Sequence, residues 1–213
     1  MGYDMRMRDQ IAPAPNEVLE PLKADTDAAS ELSRIVHGHF FQKYRAGEIE
    51  GSISDQAAVK LADRVFNEAW DKYSAASDPG YFRLNIHGMS RYRDAMLQIG
   101  MAHNSDNPVE TDEWPEYPED VEDSDEAEAK YNELADPLRA RHITADPTIP
   151  LHKFGSNDGW VVTPDECHTA VTIWGVWDDQ EGQDRPEVVD TDYWHQWIGF
   201  LRSAADHGGF RVH

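Results

Sequence analysis

The strongest constraint in this sequence is an acidic segment between Asp106 and Asp136, which carries fourteen carboxylates and one base, Lys130. A stretch with so much like charge and so few aliphatic residues cannot bury enough surface to offset the entropy of ordering it. We therefore predict an exposed, mobile acidic insertion over 104–123, so the core must form from the rest of the chain. The whole chain has a net charge of −22, which disfavours direct binding to nucleic acid or to an anionic membrane.

Three short segments, 3–8, 81–87 and 210–213, alternate apolar and polar residues with the period of two that is typical of half-buried strands. If they pair in one small sheet, their apolar sides pack on the core and their polar sides share one face. That face would gather six basic side chains from a strongly acidic protein: Arg6, Arg8, Arg83, His87, Arg211 and His213.

The remaining apolar residues recur at helical spacing around 32–40, 59–73, 89–99, 163–177 and 190–207. The clearest start is Thr163, where a capping residue precedes Pro164 and a glutamate follows three residues later. A shorter helix is predicted from Asp123 to about Leu134, ending before Pro137. The pattern favours an α+β fold, with a small, mainly antiparallel sheet covered on one face by about five helices. We expect a single domain over 1–213.

Several functional classes are disfavoured by what the chain contains. Cys167 is the only cysteine, which excludes an intrachain disulfide and a cysteine-rich zinc cluster, and the histidines offer no ligand pair, so no metal site is expected. The longest apolar run, 170–177, is too short to cross a bilayer. Arg6 and Arg8 stand where a secretory signal needs apolar residues, so a cytoplasmic location without membrane association is expected. The cofactor stays unknown, since no dinucleotide or phosphate-loop pattern occurs.

The basic sheet face suggests an anion site, because neighbouring cations repel unless something negative lies over them. Arginine binds phosphate and carboxylate through two parallel hydrogen bonds, and a helix start after Gly88 would leave backbone amides free. The alternative is that Asp4 or the acidic insertion neutralises the face as a salt-bridged surface. The predicted ligand-binding residues are Arg6, Arg83, Asn85, His87, Arg91, Asn157, Trp160, Arg211 and His213.

The segment 150–160 has the composition of a ligand-gripping loop, with turn-forming residues between aromatic ones. The candidate catalytic residues lie in it: His152 as a general base, Lys153, and Asp158 to orient a nucleophile or a water. Alternatively, 157–159 is an ordinary tight turn with Gly159 at a positive backbone angle. Whether the protein is an enzyme is left open.

Two functions fit these features. The first is a protein that binds, and as an enzyme would convert, a small phosphorylated or carboxylated ligand on the cationic sheet face. The second is an acidic interaction protein, such as a phage-encoded modulator or nucleic-acid mimic, that docks on a basic host partner. Charge reversal at Arg83 or Arg211 would disable the first, and deletion of 104–123 would disable the second.

Parts of the chain also resemble a group of uncharacterised proteins of actinobacteria and their phages. The resemblance is carried by 1–4 (MGYD), by 81–85 (YFRLN) with 88–89 and 93–96, by 150–160 with 163–167 (TPDEC), and by 207–213 (HGGFRVH). It implies an actinobacterial or phage origin. It implies no particular fold, activity or ligand.

Overall fold

The computed structural model of the protein describes residues 2–46, 53–118, 124–141, 146–180, 182 and 184–213. The chain divides into two compact units. One unit is Ile11–Pro79, and the other combines Met1–Gln10 with Gly80–His213. The single domain expected over 1–213 stays a prediction.

The Ile11–Pro79 unit is a helical hairpin of α1 (Asn16–Arg45) and α2 (Ile53–Ser77). The hydroxyl of Thr26 donates to the carbonyl of Ala69 at 3.1 Å and ties the two helices together near their middles. Both helices extend beyond the predicted stripes, and the added residues of α1 are mostly exposed, so they leave little hydrophobic period to detect.

The other unit is built on two sheets, whose strands are β1 (Gly2–Met7), β2 (Tyr81–Asn85), β3 (Ala102–His103), β4 (Ile149–Pro150), β5 (Trp160–Val162) and β6 (Phe210–Val212). The larger sheet has the order β2-β1-β6-β5, and all its neighbours are antiparallel. The short strands β3 and β4 pair in parallel. The predicted pairing of the N-terminal, central and C-terminal segments is confirmed, with β1 between the other two.

The helices of this unit are α3 (Ile86–Ile99), α4 (Ser124–Arg139), α5 (Pro164–Asp178) and α6 (Asp192–Asp206). At the start of α5 the predicted capping box is present: the Thr163 hydroxyl accepts from the amide of Glu166, and the Glu166 carboxylate accepts from the amide of Thr163. Gly100 ends α3 with a positive φ of 88°. The predicted start of α5 is confirmed because its signal is local, and a left-handed glycine is likewise a local signal for the end of a helix.

The core lies under the apolar face of the larger sheet. Met5, Phe210 and Val212 are fully buried there. Tryptophans of α5 and α6 pack against this layer, and Trp194 and Trp197 are also fully buried. The predicted α+β fold class with its small antiparallel sheet is confirmed.

The second predicted strand ends two residues early, and β5 was not predicted. β2 ends at Asn85 because the side-chain oxygen of Asn85 accepts from the amide of Gly88 at 2.7 Å and begins α3 there. His87 therefore lies in the first turn of α3, outside the sheet face. β5 was missed because three residues are too few to show an alternating pattern, so Trp160 begins a strand instead of ending a loop.

The acidic helix α4 also differs from its prediction. It continues through Pro137 to Arg139 instead of ending near Leu134. Pro137 is exposed and lies in the last turn of α4, so the single helical hydrogen bond that proline cannot donate is lost at the helix end. Asp123, the predicted cap, lies outside the described residues.

Candidate functional site

The polar face of the larger sheet gathers basic side chains from three strands, as the alternation predicted. Arg6 lies directly opposite Arg211, and Asp4 lies opposite Arg83. The backbone of Asp4 also exchanges two hydrogen bonds with that of His213, at 2.6 and 2.7 Å. The face therefore carries one carboxylate among three arginines and a histidine.

Carboxylates lie against two of these arginines. Asp4 accepts a hydrogen bond from the Tyr81 hydroxyl, and its Oδ1 lies 3.6 Å from Nε of Arg83. Asp136, near the end of α4, accepts two hydrogen bonds from Arg211, each of 3.0 Å. This arrangement supports the salt-bridged alternative for Arg83 and Arg211, and it brings the last turn of α4 to the edge of the face.

Arg139, the last residue of α4, anchors this helix to the sheet. Its side chain is only 4% exposed. Nε and Nη2 donate to the carbonyl oxygen of Asp158 at 2.8 and 2.5 Å, and Nη1 donates to Asn132 at 2.7 Å and to Asp136 at 2.8 Å. Arg139 thus satisfies a turn carbonyl and holds the α4 side chains in a fixed arrangement.

Gly159 makes the close approach of Arg139 possible. Its φ is +72°, and a Cβ at this position would lie 2.4 Å from Nη2 of Arg139. The amide of Gly159 donates to the carbonyl of Val212 at 2.9 Å, so the turn also continues the β5–β6 ladder. The tight-turn interpretation of 157–159 therefore describes the local backbone, and the turn positions the guanidinium of Arg139.

Next to Arg139 the structure has a cavity of about 370 Å³, lined by Pro115, Tyr117, Glu128, Tyr131, Asn132, Arg139, Asn157, Gly159 and His213. The rings of Tyr117 and Tyr131 form one wall, with centroids 5.6 Å apart and planes inclined by 43°. The guanidinium of Arg139 lies 5.7 Å from the Tyr131 ring and 5.8 Å from the Trp114 ring. The volume lies in the range of roughly 300–1,000 Å³ that is usual for small-ligand sites.

Burial and nearby cations set the protonation of two lining residues. Burial lowers the pKa of His213, and the arginines at 211, 139 and 6 lower it further, against the opposing charge of Glu128. Burial raises the pKa of Tyr131, with Asp158 acting in the same direction and Arg139 against it. Near neutral pH the site therefore presents a neutral imidazole and a neutral phenol, with Arg139 as its fixed cation.

The carboxylate of Asp136 predicts a pH dependence of folding. Burial disfavours its charged form, but the hydrogen bonds from Arg211 and Arg139 outweigh burial, so its pKa lies below the ordinary value of 3.8. Its contribution to stability is present above that value and is lost as the pH falls through the lowered pKa. Urea unfolding at several pH values below about 5 should show a smaller acid-induced loss in Asp136→Asn than in the parent protein.

Glu133→Gln is the matched control for this experiment, since Glu133 is an exposed carboxylate on the same helix. Its acid-induced loss should equal that of the parent. Equal losses in the parent protein and Asp136→Asn would contradict the assigned role of Asp136.

Some predicted site residues meet at this cavity. Asn157 and His213 line it. Asp158 and Arg211 do not line the cavity but contact residues around it. The carbonyl of Asp158 accepts a hydrogen bond from Arg139, and Arg211 donates to Asp136 and to the carbonyl of Gly159. Trp160 is 1% exposed and packs edge-on against Trp114, with centroids 5.6 Å apart.

Other predicted residues lie elsewhere in the fold. Asn85 caps α3, and the side chains of His87 and Arg91 are exposed on that helix. Arg6 and Arg83 are on the polar sheet face but do not line the cavity. Arg8 follows the end of β1.

The candidate catalytic residues His152 and Lys153 are buried in a 3-10 turn, Leu151–Phe154. Nδ1 of His152 lies 2.9 Å from the Ser105 hydroxyl, and Lys153 donates to both carboxylate oxygens of Glu166 at 2.7 and 2.8 Å. Burial lowers the pKa of Lys153, although Glu166 opposes that shift. Neither residue lines the cavity, and their catalytic roles stay predictions.

Sequence reasoning missed most of the lining, because it treated 104–123 as an exposed insertion and gave the helix predicted after Asp123 no part in a site. The lining residues Tyr117, Glu128, Tyr131 and Asn132 all come from the acidic segment 106–136, and Arg139 lies three residues after its end. One signal of a site was available in the composition, because aromatic residues recur in a segment that has few other large apolar side chains. Glu128, Tyr131 and Asn132 also have the i, i+3, i+4 spacing that places them on one face of α4.

Metal-ligating side chains do not cluster in this site. In the described parts of the chain, no three His, Cys, Asp or Glu residues are grouped so that they could hold a metal ion. Among the same residues, no helix has the length and apolarity needed to span a membrane.

Comparisons with models of known protein families, with curated proteins and with solved structures find no match to this chain.

Proposed function

We propose that this protein binds a small anionic ligand, carboxylated or phosphorylated and with a planar part, in the cavity between α4, residues 115–117 and the end of β6. The observation that carries this proposal is the lining itself. It combines a buried arginine, two side-chain amides and a pair of tyrosine rings around one concave space. Concave sites that are largely apolar, with few fixed polar groups, are typical of small-molecule binding.

Arg139 supports an anionic ligand group through its hydrogen-bond inventory. A guanidinium has five N–H donors. Within the described chain four of them are directed at Asp158, Asn132 and Asp136. The remaining N–H belongs to Nη2, and the amide groups of Asn132 and Asn157 lie in the same lining. An oxyanion at this position would receive a charge-assisted hydrogen bond in a partly desolvated place.

The tyrosine pair supports a planar ligand part. Tyr117 is half exposed, and its ring lies 5.6 Å from that of Tyr131, so both rings have surface available to a third ring. Aromatic contacts of this kind contribute roughly 0.5–1.5 kcal/mol beyond the area they bury. The proposal therefore places the ligand ring at the tyrosines and its anionic group toward Arg139.

Binding, rather than a reaction, is proposed. The described lining contains no hydroxyl or thiol paired with a base at hydrogen-bond distance, which nucleophilic catalysis requires. The cytoplasmic location and the actinobacterial or phage origin expected from the sequence belong to this proposal and rest on sequence alone.

A thermal-shift series tests the proposal with 4-methylbenzoate, phenyl phosphate and nucleoside monophosphates as probes. A ligand at 100 times its Kd adds about 2.7 kcal/mol to the free energy of unfolding, so Tm should rise with at least one probe. Tyr117→Leu should weaken that binding by about fivefold, because one wall of the site is lost.

Tyr44→Leu is the control, since Tyr44 is 63% exposed against 51% for Tyr117 and lies in the helical hairpin. Its affinity for the probe should equal that of the parent. If no probe raises Tm, the proposal fails, and the acidic interaction protein becomes the better explanation. Equal losses in the two tyrosine variants would also contradict the assigned site.

A further inference from the structure

The lining of the cavity includes charged groups of opposite sign, Arg139 and Glu128, and their spacing along α4 bears on the kind of ligand that fits. Glu128, Tyr131 and Asn132 follow one another on a single face of α4. The guanidinium of Arg139 reaches back along the helix, where Nη1 binds Asn132 and Asp136. The cation thus lies near Asn132, and Glu128 lies one helical turn, about 6 Å along the axis, toward the helix start.

The arginine end has an excess of positive charge. Asp136 is the only described carboxylate that bonds to either Arg139 or Arg211, and it is shared between the two guanidiniums. Because one carboxylate is shared by two guanidiniums, neither cation has a carboxylate partner of its own at this end of the cavity. An anionic ligand group is therefore favoured there.

The Glu128 end has the opposite preference. Its side chain is exposed on α4 beside the two tyrosines, and the negative faces of aromatic rings attract a cation. Glu128 and His213 both line the cavity, and the charge of Glu128 acts to raise the pKa of His213. An anionic ligand group would be repelled at this end, and a protonated amine would be attracted by the carboxylate and by the rings.

We infer that the cavity takes a zwitterionic ligand, with a carboxylate toward Arg139, a planar body at Tyr117 and Tyr131, and a protonated amine toward Glu128. This inference rests on the proposed function and names the ligand class within it. The chemistry is that of an amino acid whose charged groups are separated by a flat middle part. A plain anion of the same shape would occupy the same place with one favourable contact fewer.

Three probes of the same ring shape test the inference by calorimetric titration at low salt. 4-(Aminomethyl)benzoate carries both charges, 4-methylbenzoate carries only the carboxylate, and 4-methylbenzylamine carries only the amine. The zwitterion should bind about fivefold more tightly than 4-methylbenzoate, which is the scale of an exposed ion pair with aromatic support. The amine alone should bind more weakly than either, since it lacks the contact with Arg139.

Two variants locate the effect. Glu128→Gln should bring the affinities for the zwitterion and 4-methylbenzoate to within about twofold of each other, because the ion pair is gone. Glu133→Gln removes the same charge from the same helix at an exposed residue that does not line the cavity, and it should keep the fivefold preference. Both residues are exposed, so the Tm of each free variant should stay close to that of the parent.

The outcomes separate this inference from the proposed function. If 4-methylbenzoate binds and the zwitterion binds no more tightly, the inference is overturned and the proposed function stands. Equal binding of 4-methylbenzylamine and the zwitterion would overturn it as well, as would equal behaviour of the two glutamate variants. If none of the three probes binds and the phosphate probes also fail, the proposed function itself fails.

Discussion

Gly209→Ala is expected to destabilise the protein by about 4 kcal/mol, enough to unfold most single domains of ordinary stability on mild heating. Gly209 has a φ of +79°, and a Cβ there would lie 2.1 Å from the carbonyl oxygen of Val162. That oxygen belongs to the backbone of β5 and cannot move without breaking the ladder with β6. The amide of Gly209 also donates to the carbonyl of Ala204 at 2.9 Å, which fixes the turn after α6.

Gly208→Ala is the matched control for this substitution. Its φ of +76° imposes a similar backbone penalty, but the nearest atom to a new Cβ is the Asp9 carboxylate at 3.1 Å, and that side chain can move. We expect a cost of about 1 kcal/mol, the usual penalty for a left-handed alanine. Urea unfolding of both variants measures the difference, and equal losses would contradict the close packing of this turn on β5.

Arg139→Met is expected to lower the free energy of unfolding by about 3 kcal/mol and to abolish binding of the anionic probes. The change keeps most of the side-chain volume but removes all four hydrogen bonds of the buried guanidinium. The carbonyl of Asp158 then loses both of its side-chain donors. Unfolding experiments measure the stability loss, and titration with 4-methylbenzoate measures the loss of binding.

Arg141→Met separates this effect from the loss of one positive charge. The Arg141 side chain is 48% exposed and forms an ion pair with Glu113. Exposed pairs contribute about 0–1 kcal/mol, so this variant should stay close to the parent in stability and in probe binding. A loss equal to that of Arg139→Met would contradict the anchoring role of Arg139.

The parts of the fold that could be predicted are those with local causes. Thr163 and Glu166 lie three residues apart, and that spacing alone is enough to form the capping box that begins α5. Tyr3, Met5 and Met7 alternate with charged residues, so the side of β1 that faces the core follows from the pleat. The same alternation in β1, β2 and β6 is enough to predict that Arg6, Arg83 and Arg211 share the polar face of the larger sheet.

One error arose from a competing local signal, and the others arose where a contact between distant residues changes a local preference. Asn85 ends β2 through a hydrogen bond to Gly88, so His87 belongs to α3 although its alternation continues that of the strand. Pro137 would ordinarily end a helix, but Arg139 binds the carbonyl of Asp158 and holds the last turn of α4 in place. Trp160 to Val162 form a strand because β6 pairs with them.

The ligand site shows the same division between local and distant causes. The sequence by itself determined that basic side chains, His213 among them, share a sheet face, and that 157–159 form a turn, because these conclusions follow from the strand period and turn chemistry. Only the tertiary structure decided that α4 covers the edge of this face, through Arg211 on Asp136 and Arg139 on Asp158. The high negative charge of the acidic segment favours its exposure to solvent. For α4, a few buried contacts with residues far away in the chain outweigh that tendency and hold the helix against the sheet.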